Sequence, residues 1–98
     1  MSIRDEIIGR LEGEEIIFYD PPEIFDACIV GIAQRSHDFF VLYDYDAVID
    51  ALTLDGIQSG TDASEAREEA MDHFGFNVVG GWYGRATPAF VTRVKVDE

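Results

Sequence analysis

Residues 26–54 read DACIVGIAQRSHDFFVLYDYDAVIDALTL, and the fold turns on how this stretch is divided. DACIVGIAQ at 26–34 is nearly continuous in apolar residues, which predicts a strand covered on both faces. Gly31 in its interior marks a bulge or a close backbone approach. RSHD at 35–38 reads as a turn and FFVLY at 39–43 as the returning hairpin strand. The periodicity then changes. Asp44 is a good N-cap, Asp46 suits the positive end of a helix dipole, and Tyr45, Val48, Ile49 and Leu52 form one stripe. A helix over 44–54 follows directly from the hairpin.

On the N-terminal side, Ile3, Ile7, Ile8 and Leu11 predict a short helix over 2–12 that ends at Gly13. IIFYD at 16–20 is β-prone and is stopped by Asp20-Pro21-Pro22, since proline supplies no ladder donor. After a flexible connection, GIQSG at 56–60, the segment TDASEAREEAMDHF carries a capping-box pattern at Asp62 and Glu65. Ala66, Ala70 and Phe74 form its narrow buried stripe, and Gly75 is the expected C-cap. Residues 76–80 and 89–96 read as β. The expected fold is one α+β domain over 1–98 in the overall order α-β-β-α-α-β, with a short extra strand at 76–80 left open. Its small antiparallel or mixed sheet is packed by two to three helices.

Charge narrows the function classes. Twenty acidic residues face seven Lys and Arg, for a formal net charge of −13. The first 72 residues hold 18 of the acids and four of the bases, so the charge is concentrated there. Such a chain repels nucleic acid and anionic lipid and attracts basic protein surfaces. The expected partner is a basic, nucleic-acid-binding host protein, with no direct nucleic-acid or membrane contact; a homo-oligomer stays open. Apolar runs are far shorter than the ~20 residues that cross a bilayer, and the N-terminal segment lacks a signal-peptide pattern, so a cytoplasmic location is expected.

Catalytic and metal chemistry find little support. Asp44, Asp46 and Asp50 do not form a Ca²⁺ loop, and His37 and His73 lack ligands at zinc spacing. Cys28 sits among apolar residues, as a buried hydrophobe rather than a reactive thiol. Gly80-Gly81-x-x-Gly84 has no following helix to make a phosphate loop. No catalytic residue, metal or cofactor is assigned, and the chain is read as no enzyme.

Two surfaces are candidates for partner binding. On the second long helix, Glu65, Glu69 and Asp72 fall opposite the buried stripe. Asp46 and Asp50 extend that surface if the two helices lie side by side. The second surface is Trp82 and Tyr83, on an excursion between Gly80-Gly81 and Gly84, with Arg85 in the turn that follows. As a lid over the core Trp82 needs no function, and this is the orientation expected. Exposed beside Arg85, the pair would match the residue types that dominate interface hot spots.

The segments FYD (18–20), DACIVGIAQR (26–35), FFVLYDYDAVIDAL (39–52) and SEAREEAMDHFGFNVVGGWYGRATPAF (64–90) carry a resemblance. Together they are similar to a recurrent group of small, acidic, uncharacterised proteins encoded by bacteriophages and prophages. Shared features are an aspartate-flanked Ala-Ile-Val-Gly strand, a tyrosine-aspartate helix start, and a Phe-Asn-x-x-Gly segment followed by Thr-Pro. The resemblance covers about 70 residues and carries over no catalytic residue. Gly-Gly-Trp-Tyr-Gly stands here where a single small residue is expected before the aromatics. A phage origin is implied. An inhibitor of nucleic-acid-binding host machinery, antiviral defence of the CRISPR type included, suits the charge, because spread carboxylates can imitate a phosphate backbone. The alternative is a structural or self-associating phage component whose acidity serves solubility.

Overall fold

The computed structural model describes residues 2–74 and 81–96. Its elements are α1 (Ile3–Arg10), α2 (Pro22–Phe25), a 3₁₀ turn at Asp26–Cys28, β1 (Ile29–Arg35), β2 (Asp38–Asp44), α3 (Tyr45–Gln58), α4 (Ala63–Phe74) and β3 (Ala89–Val91). β1 and β2 form an antiparallel hairpin, and β3 joins β2 in parallel, giving a mixed sheet in the order β1-β2-β3. The α+β class is as expected, and the order α-β-β-α-α-β holds apart from the short added helix α2. The two long helices form the crossover between β2 and β3.

The hairpin and the helix after it match the sequence closely. Ser36 and His37 make the loop, with Ser36 at φ +56°, and Arg35 stands opposite Asp38. The pairing slips between Ile29 and Gly31, which is the bulge expected at that glycine. β2 places Val41 and Tyr43 on one face, as the two-residue period requires, and both are fully buried. Asp44 then caps α3 by accepting the Ala47 N–H at 3.1 Å.

Three expectations need correction around this hairpin. β1 starts at Ile29 rather than Asp26. Pro22 occupies the first turn of α2, where its fixed φ suits a helix, and the three-residue spacing of buried Phe25 and Cys28 is helical. Nor is β1 covered on both faces, because Val30 is 42% exposed on this edge strand. IIFYD at 16–20 is not a strand. The Tyr19 N–H goes instead to the Tyr43 hydroxyl, at 3.0 Å, while Ile16, Phe18 and Tyr19 pack on the core as irregular chain. Arg4 fastens this segment by bonding Asp26 at 2.8 Å and the Tyr19 carbonyl at 3.0 Å.

α3 runs on to Gln58, past its expected end, so GIQSG is mostly helix. Gly56 is tolerated there because α4 crosses close by: a Cβ on Gly56 would lie 3.1 Å from the Ala66 Cβ. The helix stops in a Schellman motif. Gly60, at φ +102°, donates to Ile57, and Thr61 donates to Gly56 at 3.0 Å. α4 buries Ala66, Ala70 and Phe74 as its spacing requires. Its cap differs from the expected box, since Asp62 accepts the Ser64 N–H at 3.2 Å.

The last strand is shorter than its alternation suggests. β3 pairs with β2 only over Leu42–Asp44, and at Tyr45 β2 has already become a helix. Among the described residues, 92–96 continue in no strand, and Val94 and Val96 are 84% and 79% exposed. The Gly75 cap and the strand at 76–80 lie outside the described residues.

The core joins all layers. Phe74 meets Phe90 edge-on at 4.7 Å between centroids, and Tyr19 stacks on Phe90 at 5.6 Å. Tyr43, Val48 and Ile49 complete its centre.

Candidate partner-binding surface

The chain from Gly81 to Pro88 is built as a tight turn rather than a loose excursion. Gly84 sits at φ +106°, a conformation an L side chain rarely adopts. The Thr87 hydroxyl accepts the Tyr83 N–H at 2.7 Å and donates to the Gly84 carbonyl at 2.6 Å. The Thr87 N–H donates to the same carbonyl at 3.1 Å. Ala86, Thr87 and Pro88 are buried, so the turn is anchored on its C-terminal side. On the other side Tyr83 lies over Gly81, where a Cβ would stand 2.9 Å from the tyrosine hydroxyl.

This anchoring decides where the aromatics go. Trp82 is 68% exposed and Tyr83 53% exposed, with Arg85 exposed beside them. The indole is therefore not a lid over the core, contrary to the expectation from sequence. The glycines flanking it permit either direction, and the core position is already taken by Phe90 against Phe74 and Tyr19. An exposed tryptophan on an anchored turn leaves little backbone to order when it enters an interface.

Beside the indole is a shallow depression of about 290 Å³, lined among others by Arg35, Phe40, Trp82, Arg85, Pro88 and Phe90. Arg35 and Phe40 are not among the candidates that sequence suggests. Their only signal is a position at the hairpin, and nothing local shows that the 81–88 turn returns to it.

The acidic surface is set by α3 and α4. Glu65, Glu69 and Asp72 are all exposed, as are Asp46 and Asp50. The helices do lie side by side, and Arg67 bridges them to Asp50 at 3.4 Å. Successive residues on a helix are turned by about 100°, so Arg67 and Glu65 flank Ala66 on opposite sides. Asp50 thus neighbours the Arg67 flank, and Glu65 and Glu69 line the other. The bridge is between exposed groups and contributes little to stability.

Cys28 is buried, its thiol donates to the Ile24 carbonyl at 3.5 Å, and burial pushes its pKa up. Such a thiol is a poor nucleophile. Among the described residues, no three His, Cys, Asp or Glu side chains stand where they could hold a metal ion together. Among them, too, no helix is long and apolar enough to cross a membrane.

No family model matches the chain, and no similar protein was found among curated sequences or solved structures. The functional reading rests on these two surfaces.

Proposed function

We propose that this chain is a small acidic binding protein that acts by occupying a basic surface on a nucleic-acid-binding host protein. The observation that carries the reading is the exposed carboxylate row Glu65, Glu69 and Asp72 on the outer flank of α4. Such a row can meet the Lys and Arg side chains that otherwise grip phosphates. The exposed Trp82 and Tyr83 add apolar anchors of the type that dominates binding energy. A phage-encoded inhibitor of host defence machinery, the CRISPR type included, fits this mode of action, and its place of work would be the host cytoplasm.

The test is capture of host proteins on the immobilised chain, with rising salt and with duplex DNA as competitor. The expected catch is basic nucleic-acid-binding protein, released by both. A catch indifferent to salt and to DNA would sink the reading.

A second reading, self-association, draws on the apolar side chains exposed at the β1 edge and on α1, namely Val30, Ile3 and Ile8. Sedimentation at several protein concentrations separates the two, since only the second requires a larger species without partner.

A further inference from the structure

Positive charge is scarce in this chain, and most of it is spoken for. Arg4, Arg10, Arg67 and Arg93 each pair with carboxylates, at 2.8 to 3.4 Å. Arg35 and Arg85 are different: among the described residues, neither guanidinium has an ion pair or hydrogen bond. Both line the same depression beside Trp82. Two unpaired cations thus flank one notch on a protein of net charge −13.

We propose that this notch binds a small anion of the mononucleotide class, its planar base stacked on the Trp82 indole and its phosphate held by Arg35 and Arg85. Guanidinium groups present a planar fork of donors that suits phosphate oxygens. An exposed indole stacks on any heteroaromatic ring, whatever the base. Phe40, Pro88 and Phe90 supply the apolar remainder of the wall. At about 290 Å³ the open notch is at the small end of ligand pockets, a size for one nucleotide rather than a strand. A nucleic-acid strand is opposed by repulsion from the acidic helices, which a single phosphate feels far less. On its other side Arg85 borders a second depression, lined in part by Glu14, Glu15, His37 and Asp38. This site is separate from the carboxylate row on α4 and stands or falls independently of it.

Trp82 is the only tryptophan, so its fluorescence reports on this notch alone. The full chain is titrated with adenosine monophosphate, adenosine, inorganic phosphate, a short oligo-glutamate peptide and oligo-dA. Adenosine monophosphate is expected to quench saturably with Kd below about 1 mM at low salt. Adenosine and phosphate alone should bind about tenfold more weakly or worse, and oligo-dA no better per strand than the monomer. Arg35→Gln and Arg85→Gln should each weaken the nucleotide about tenfold while leaving the thermal midpoint unchanged. The proposal is overturned by an absence of saturable quenching, by adenosine or phosphate matching the nucleotide, or by tighter binding of the peptide or the strand. It is equally overturned if folded arginine variants bind as the wild type does. Should a variant fold poorly, the wild-type salt series decides. Nucleotide affinity must fall between low and physiological salt while that of adenosine holds, and equal responses overturn the assignment.

Discussion

The Thr87 hydroxyl accepts the Tyr83 backbone N–H at 2.7 Å while donating to the Gly84 carbonyl at 2.6 Å, and this pair of bonds closes the turn that carries the exposed aromatics. Thr87 is buried, so a replacement that cannot bond strips the Tyr83 N–H of its partner, while the Gly84 C=O keeps only the residue 87 N–H. Thr87→Val, similar in shape, should cost about 1–3 kcal/mol in urea unfolding. It should also lower the Trp82 fluorescence anisotropy. Unchanged stability and anisotropy would show that the turn is held by something else.

Trp82→Ala addresses exposure directly. An indole this exposed contributes little to the fold, so the change should stay within about 0.5 kcal/mol of wild type. The native emission maximum should be that of a water-exposed indole. A loss of about 3 kcal/mol, as for a buried aromatic, would mean the ring packs inward after all.

The ring of Tyr19 lies among Phe25, Tyr43 and Phe90, and its hydroxyl is buried without a hydrogen-bond partner among the described residues. Burial foremost, with the nearby phenols of Tyr83 and Tyr43, pushes its pKa up from 10.0 to about 12. A phenol raised in the folded state stays protonated where the unfolded chain ionises. Its stabilising contribution is whole below the unfolded value near pH 10 and is lost as pH climbs toward about 12. Stability should therefore fall over that window. Tyr19→Phe should make the fall shallower, with a remainder from Tyr43 and Cys28, whose pKa values burial also raises. At neutral pH the same variant should be neutral or more stable, by up to ~1 kcal/mol, because an unsatisfied hydroxyl is removed.

Close packing of α3 on α4 at Gly56 and Ala66 gives a fourth test of the fold. Ala66→Leu has no room for its added carbons and should cost about 1–3 kcal/mol or more by thermal unfolding. A neutral result would mean that the helices separate easily.

Charge predicts a salt response. With most carboxylates exposed and concentrated in the first 72 residues, self-repulsion is strongest at low ionic strength. Thermal midpoints should rise as salt approaches physiological levels. A flat response would show the charges to be too dispersed or too well paired to act as one face.

Much of this structure is legible in the chain because its signals are local. Asp44 as a cap, the change of period after Tyr43, Gly31 as a bulge and the Ala66, Ala70, Phe74 stripe all depend on neighbours a few residues away. The misreadings share a different cause. Pro21-Pro22 reads as a stop, although Pro22 also opens a helix. The length of β3 depends on where β2 turns into α3, far off in sequence. Gly56 resembles a hinge because the residue that fills its space is Ala66 on another helix. The site divides in the same way. The carboxylate row on α4 follows from helical spacing, whereas the meeting of Arg35 with Arg85 and Trp82 is a product of the tertiary fold.

The most direct test of the carboxylate row is to neutralise it. Glu65→Gln, Glu69→Gln and Asp72→Asn together leave the core untouched and relieve like-charge repulsion, so the variant should fold with equal or higher stability. Its capture of basic, DNA-displaceable host protein should drop about tenfold or more relative to wild type, at matched salt. Asp46→Asn with Asp50→Asn, on the flank that Arg67 already occupies, should lose less. A folded triple variant that captures the same proteins as strongly as wild type would contradict the account.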